Sequence, residues 1–590
     1  MITSKTVISD FLGLMTHLDE TNVPLGGAIQ VQNFAQYVPQ RIQRIPGLTN
    51  VETIADSSHG FLDAWHVRID GGAEKLMAVI KKSDDTIKVW NITDGAEVTG
   101  STLTDVVSGQ LAGIWSSTYY LRRQYVANGT QPIQIISTAS TRTSITATTE
   151  RHDSPGGAYA GGTTYDVDDV VSYSGSNYVC ILATTGNLPT NTTYWTPWIS
   201  WVPPIGSLVK SYLGSLFVAG IASPQDDVVW YSDPLTTDFE PTNFLNIDEI
   251  PGKVLAMAIS SATTADTGIL GELIFAKQSG LVKLSGHPLD TTNSRKDVIS
   301  SVIGSVSPHT FCSTPIGLFF LGIKNGIYSM YFLQIGSVGE PQDIGLSLRN
   351  LLNDPTYPIQ NPVTCRATFH DGMLKLFLQK NNANIEIWGD ITGFIRDGKI
   401  RWYGPHTRGA NQSPCVSEAG LLHLFEVSGN TGYHFTENTD KTQNFYNLTH
   451  TILPAVLDIP LNIPPISITG SPVVSPVIPT ALEGIDKSYD TFNVYFSKET
   501  NVVGNALDYR LFTEGIQLGG VITATLNKLQ SLVGIDKHFP IVGVNGASFF
   551  SRYTVRVQFT HNLDFRCDIS HMGIQFLYDE QPTHKSSPNG

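Results

Sequence analysis

One theme governs residues 55 to 445: a short strand of alternating apolar residues, a turn of Asn, Asp or Gly, and a second strand of the same kind. It recurs in GFLDAWHVRI, KLMAVIKKSDDTIKVWNITDG, GSLVKSYLGSLFVAG, GELIFAKQSGLVKLSG, IGLFFLGIKNGIYSMYF, DGMLKLFLQKNNANIEIWGD and GLLHLFEVSGNTGYHF. Side chains alternate faces along a strand, so each segment reads as a hairpin. A long series of hairpins at roughly blade spacing predicts an all-β chain built around a β-propeller, with an array of β-sandwiches as the structural alternative. Lys324-Asn325-Gly326 and Gln278-Ser279-Gly280 place Asn or Gly where a tight hairpin is expected to need positive φ.

Composition agrees with this reading. Of 590 residues only 15% are charged, against a usual share of about a quarter, while the chain carries 53 Gly, 32 Pro, 22 Tyr and 26 Phe. Aromatic residues suit strands, and Gly and Pro punctuate them. The low charge points to extensive subunit contacts. A formal net charge of −15 argues against stable nucleic-acid binding, which depends on Lys and Arg neutralising phosphates. It suits a conduit that lets DNA slide, and equally an ordinary acidic protein.

The expected organisation is an extended N-terminal arm (1–54), a first part of the propeller (55–150), an inserted small β module (151–202) and the propeller remainder (203–450). A proline-rich strap or channel loop (451–485), a mostly-β C-terminal platform domain (486–580) and a disordered tail (581–590) follow. The proline-rich stretch, LPAVLDIPLNIPPISITGSPVVSPVIP, is too proline-dense for a helix or a central strand. Two short helices are expected, one after Asp343 on Ile344, Leu348, Leu351 and Leu352, the other over about 523–533.

No nucleophile elbow, HExxH, phosphate-binding loop or calcium-loop spacing occurs, and five widely spaced cysteines form no CxxC pair. The expectation is a protein with no catalytic residue, no cofactor and no metal. His59, His370-Asp371 and His571 read as structural, and Asp84-Asp85, Asp168-Asp169 and Asp226-Asp227 as turn caps. The opening lacks a signal-peptide layout and no apolar run reaches membrane-spanning length, so synthesis in a cytoplasm, with any exterior role reached by assembly, is expected.

Residues 163–198, TTYDVDDVVSYSGSNYVCILATTGNLPTNTTYWTPW, resemble the small chitin/cellulose-binding module of secreted chitinases and phage tail proteins. The match runs through Tyr165, Asp169-Val170-Val171, Tyr173, Gly175, Tyr178, Gly186, Pro189 and Tyr194-Trp195. The resemblance implies cell-surface glycan as a partner, with Tyr173, Tyr194, Trp195 and Trp198 as candidate stacking residues. Leu182 and Ala183 stand where that family carries adjacent tryptophans, and all four aromatics have an alternative use as the core of a tiny module.

The N-terminus resembles the start of many short-tailed phage tail proteins through Asp10, Phe11, Gly13, Leu14, Thr16, Pro24, Leu25, Gly26, Asn33, Arg44, Pro46 and Gly47. Segments 226–241, 273–286 and 303–330 look like blades of packaged-DNA stabilisation and tail nozzle proteins. That resemblance implies a virion structural protein: a homohexameric ring below the portal and adaptor, with tail fibres or a needle attached. Double-stranded DNA would pass its lumen without sequence-specific binding. A carbohydrate-binding adhesin or receptor-binding tail protein is the alternative.

Overall fold

The computed structural model describes residues 2–8, 11–18, 22–55, 60–103, 114–145, 157–167, 169–197, 205–260, 271–334, 339–409, 412–428, 431–438, 455–461, 487–496, 506–513, 516–525, 536–540, 549–551, 555–561 and 568–578. Among them, seven antiparallel sheets follow one another along the chain as propeller blades. Blade 1 runs Gly60–Val67, Lys75–Lys81, Ile87–Asn91 and Ala96–Leu103, and blade 2 runs Ser116–Tyr120, Arg123–Ala127, Gln134–Ile136 and Arg142–Ser144. Blade 3 comprises Leu208–Tyr212, Ser215–Ala219, Val228–Ser232 and Phe239–Asn246. Blade 4 comprises Ala256–Ser260, Glu272–Ala276, Leu281–Ser285 and Arg295–Ser300. The main strands of blade 5 are Cys312–Thr314, Gly317–Lys324, Ile327–Gln334 and Gln342–Asp343; those of blade 6 are Arg366–His370, Met373–Lys380, Ala383–Asp390 and Trp402–His406.

Blade 7 settles the topology. Gln412–Val416, Leu422–Ser428 and Thr431–Glu437 supply its first three strands, and the fourth is Leu48–Ala55 from the other end of the chain. The first strand of each blade packs beside that of the next, and Gln412–Val416 lies against Gly60–Val67, which closes the ring. The protein is an all-β propeller, and its circle is completed by a strand from the N-terminal region.

That closure corrects the reading of residues 1–54 as an extended arm. Phe11, Leu14, Val31, Phe34, Ile42 and Ile45 are all buried in one core with Leu374, Ile387, Trp388 and Trp402 of blade 6. Burying a large apolar side chain stabilises by about 1.5–3 kcal/mol, so these side chains fix the segment firmly. Gly13 lies so near blade 6 that a Cβ would sit 2.6 Å from the Trp402 carbonyl oxygen. Asn33 donates its backbone N–H to His406 Nδ1 at 2.9 Å and accepts from the Thr407 N–H at 3.0 Å. Several of the residues resembling a phage-tail opening therefore dock the N-terminal segment on blade 6.

The same region ties the propeller to a second body of strands. Val31 of Gln30–Gln32 pairs with Gly404 of blade 6, and on its other side Gln30–Gln32 pairs with Ala455–Leu461. The sheet continues through Val555–His561 and Ala506–Thr513 to Ile516–Thr525. A neighbouring sheet pairs Asp568–Tyr578 with Ile2–Ile8, Lys487–Phe496 and Arg41–Arg44. Ala455–Leu461 corrects the expectation that the proline-rich stretch forms no central strand, since it is paired on both sides. Only residues 456–458 are paired on both sides; Pro460 lies beyond the end of Gln30–Gln32, where the strand has one neighbour, a position in which proline is tolerated. Residues 462–485, the rest of that stretch, lie outside the described residues.

The hairpin at Lys324-Asn325-Gly326 has φ of 52° at Asn325 and 80° at Gly326 between the paired Lys324 and Ile327, as a type I′ turn requires. Gly280 differs: it lacks positive φ and is needed for space, because a Cβ there would lie 2.4 Å from Ile250 Cδ1 and 2.5 Å from the Ser300 oxygen. The helix expected after Asp343 is a 3-10 turn, Leu346–Leu348, running into Arg349–Leu352, with Leu348 and Leu352 buried. Of the second expected helix, residues 523–525 end the strand Ile516–Thr525 and the remainder lies outside the described residues. No helix among the described residues is long and apolar enough to cross a membrane.

Candidate functional site

The inserted module lies between blades 2 and 3. Val170–Tyr173, Ser176–Cys180 and Trp195–Pro197 form one small sheet, and Thr164–Tyr165 pairs with Thr184–Thr185. Its core is Tyr165, Val171, Cys180 and Trp195, with Tyr159, Tyr178 and Tyr194 packed around it. Trp195 is 1% exposed, meets Tyr165 edge-on at 5.3 Å, and donates its indole N–H to the Asn187 carbonyl at 3.0 Å. This corrects its candidacy as a stacking residue: a ring enclosed on its faces cannot lie on a sugar. Tyr173 and Tyr194 are half-buried, and Tyr173 meets the Tyr159 ring edge-on at 5.8 Å. The assignment of Trp198 lies outside the described residues. Leu182 is exposed. Sequence reasoning missed Tyr159, which stacks on Tyr165 at 5.5 Å, because it sits in a Gly-rich stretch that reads as a flank.

Replacing Trp195 with Ala removes the largest buried side chain of a module with little else to bury, at a cost of about 3–5 kcal/mol. The expected outcome is rapid proteolysis between residues 157 and 197, with the main unfolding transition of the propeller unchanged.

The most concentrated chemistry among the described residues lies between blades 6 and 7. Arg408 is fully buried. Its guanidinium donates to both Glu386 oxygens at 3.0 and 2.7 Å, to Glu437 Oε2 at 2.6 Å and to the Pro46 carbonyl at 3.2 Å. Lys375 Nζ donates to the two Glu437 oxygens at 2.8 and 2.6 Å and lies 4.0 Å from the Trp388 ring centroid. The Trp388 indole N–H donates to Glu386 at 2.9 Å, and His370 Nδ1 stands 3.4 Å from Glu437. Burial alone would raise the Glu437 carboxyl, but Lys375 and Arg408 outweigh it and hold the pKa well below the usual carboxylate range. Burial pulls the Lys375 ammonium down to about 8 against the attraction of Glu437.

Two positive and two negative charges thus neutralise one another with their hydrogen bonds filled. A groove of about 420 Å³ beside them is lined by Phe369, His370, Asp371, Leu421 and Glu437. Glu437 cannot serve it as a general base, because its oxygens are committed and its proton affinity is low. The arrangement joins blade 6, blade 7 and the N-terminal segment mechanically. His370 also contacts the Gly420 carbonyl at 2.9 Å, and Asp84 accepts from the Thr86 N–H as a turn cap.

At the seam between blades 7 and 1, His423 Nδ1 and His434 Nε2 are 2.8 Å apart, and the His66 ring lies 4.7 Å from that of His423. Burial, and then the neighbouring rings, lower the pKa of His423 to about 4 and of His434 to about 3. Unfolded histidines titrate near 6.5. A depressed folded pKa means the unfolded chain takes up protons first, so this contribution is complete above about 6.5 and is lost as pH falls towards the folded values. From pH 7 to pH 5 the loss is about 2 kcal/mol for His434, with less from His423, which is nearer solvent. Guanidinium titrations at the two pH values check this, and His434→Phe is expected to flatten the dependence.

No protein-family model matches the chain, and neither does any curated protein. Among solved structures, the β-propeller domain of the Trilobed protease from Pyrococcus furiosus is 10% identical, covers 67% of this chain and 97% of its own, and has a TM-score of 0.29. Saccharomyces cerevisiae Sqt1 is 8% identical over 66% of this chain and 99% of its own, with a TM-score of 0.34. A structure of YCF48 bound to D1 peptide is 10% identical over 67% and 100%, with a TM-score of 0.31. The propeller assignment rests on the strand order and ring closure described above.

Proposed function

We propose that this chain is a virion structural protein of a short-tailed bacteriophage, a wall subunit of the tail nozzle. Copies of it form a ring, a homohexamer, that continues the DNA channel below the portal and adaptor, retains packaged DNA and releases it during ejection. The observation that carries this reading is the shared sheet running from blade 6 through Gln30–Gln32 into Ala455–Leu461 and beyond. A hinge between propeller and platform would have to break the Val31–Gly404 pair and open the core that packs Phe11, Leu14 and Phe34 against blade 6, so the two bodies act as one stiff element suited to resisting pressure. The ordered likeness of the opening and of three blade segments to nozzle proteins supports the same reading. A net charge of −15 favours a lumen that repels the DNA backbone.

The role needs geometry and no bond-making step. Tail fibres or a needle would attach outside or distally, and double-stranded DNA would pass without base-specific contacts. The test is a virion lacking the protein. Particles made without it are expected to package DNA and then lose it, and antibodies to the chain should label the tail vertex of complete particles. Particles that hold their DNA in its absence, or label elsewhere, would refute the proposal.

A further inference from the structure

At one end of blades 1 to 3 the turns meet in a surface that the proposed wall role leaves unassigned. Leu121 and Arg122 form the turn between the first two strands of blade 2, and Leu213 and Gly214 the matching turn of blade 3. The Asp70 N–H of blade 1 donates to the Arg122 carbonyl at 3.0 Å. Leu235, between the last two strands of blade 3, donates its N–H to the Gly214 carbonyl at 2.6 Å. The Tyr120 hydroxyl lies 2.8 Å from the Gly214 carbonyl oxygen and 2.7 Å from that of Thr236, so the three blade ends form one continuous surface.

Leu121, Arg122, Leu213 and Leu235 have φ of 45°, 61°, 46° and 62°. Side chains that branch or extend from Cβ enter this left-handed region at a cost, because Cβ crowds the following carbonyl. Every other non-glycine residue with positive φ among the described residues is Asn, Asp, Ser or Gln, so leucine and arginine adopt it on this surface alone. Leu213 has a reason within the chain, since it packs against the core shared by blades 3 and 4. Leu121 and Leu235 bury little of themselves: both are exposed, Leu235 at 72%, and so is Tyr119. Arg68 beside them is matched by Glu418, whereas Arg122 and Arg123 are exposed and form no ion pair among the described residues. Apolar side chains held in strained turns and flanked by unpaired cations mark a contact surface whose partner supplies the missing burial and negative charge.

Charge favours a second copy as that partner, since the chain carries 52 acidic against 37 basic residues. Two such surfaces facing each other would set arginine against arginine, so a twofold contact is disfavoured. The surface has to meet a different, acidic one, and head-to-tail contacts of that kind build rings. The opposite end of blade 3 offers it. Asp226 and Asp227 lie between its second and third strands, and Asp248 in the connection to blade 4. The Ile247 N–H donates to the Asp227 carbonyl and the Val254 N–H to that of Asp226, both at 2.9 Å, which joins the two loops. Lys253 is the one cation in the loops 220–227 and 247–255, against Asp226, Asp227, Asp248 and Glu249. Glu249 is taken by Lys296 at 2.6 Å, while the three aspartates have no ion pair among the described residues.

We propose that the surface of Tyr119, Leu121, Arg122, Arg123 and Leu235 docks on the acidic end of blade 3 of the next copy, as the head-to-tail contact between propellers. The inference rests on the ring proposed above and adds the surfaces that join it.

Sedimentation velocity of the full chain over a concentration series reads the association. Leu121→Asn and Leu235→Asn each bring in a residue that enters the left-handed region readily. Each should melt no lower than the unsubstituted chain when both are dilute and monomeric, yet associate at least tenfold more weakly. Arg122→Glu with Arg123→Glu should stop self-association, as should Asp226→Lys with Asp248→Lys. Mixing these two doubly substituted proteins should restore it, because alternating copies then match at every contact. Ile395→Asn, exposed on Ile391–Asp397 of blade 6, should change nothing. Assembly unchanged in the leucine and arginine variants, or no recovery in the mixture, would overturn this contact and leave the ring standing. A chain that stays monomeric at every concentration would overturn the ring and this contact with it.

Discussion

Replacement of Arg408 by Ala is expected to lower the unfolding free energy by about 3–5 kcal/mol, among the largest effects of any single substitution in this chain. Breaking a buried pair by removing one partner costs more than the pair contributes, because a charge is left behind without water or counter-charge. Here two carboxylates are left: Glu386 loses both guanidinium bonds, and Glu437 keeps only Lys375 and the more distant His370. Arg408→Lys should recover part of the loss at most, since an ammonium cannot present a planar fork to one carboxylate while reaching a second and the Pro46 carbonyl. Denaturant titration measures both. A loss below about 1 kcal/mol for Arg408→Ala would mean that water reaches the cluster and that its charges are not truly buried.

Deleting residues 1–55 is expected to abolish the cooperative unfolding transition. The deletion removes the fourth strand of blade 7, whose pairing runs from Ala55 opposite Thr431 to Leu48 opposite Glu437. Leu48 leaves a cluster containing Phe377, Leu422, Leu424 and Phe435, and Ile54 leaves one containing Phe61 and Phe425. Thr431–Glu437 then becomes an open edge strand, a template for aggregation. Hydrogen exchange should accelerate first in Leu422–Glu437, and a peptide spanning residues 46–55 supplied in trans should slow it again. A deleted protein that melts like the full chain would show that closure contributes nothing to stability.

The hairpin series was legible because alternation and turn chemistry are local properties. GIKNGIYS specifies its own strands and its own type I′ turn without help from distant residues. Ring closure was not legible, because the partner of Thr431–Glu437 lies nearly 400 residues earlier and LTNVETIA has no turn or hairpin partner of its own to mark it as part of a blade. The helix Ile391–Asp397 was also missed. Asp390 caps it by accepting from the Gly393 N–H, and Gly398 ends it in the left-handed region, but at under two turns it shows no period.

Site residues were harder to read than the fold. Tyr194-Trp195 fits either a sugar platform or a miniature core, and only the closed packing around Trp195 decides against exposure. The Arg408 cluster draws on residues 46, 375, 386, 408 and 437, whose meeting is a consequence of propeller closure and leaves no signal in any single segment. Pro460 misled for a similar reason. Whether a proline breaks a sheet depends on how far the neighbouring strand extends, which is a tertiary fact.

The most direct measurement of the central claim, that this chain is a stiff wall element whose purpose is assembled geometry, is electron microscopy of the purified protein paired with native mass spectrometry. Closed rings of identical subunits around an open passage, with a mass corresponding to a small whole number of chains, are the expected result. Single 64.3 kDa particles at every concentration, or after mixing with the portal and adaptor, would contradict it.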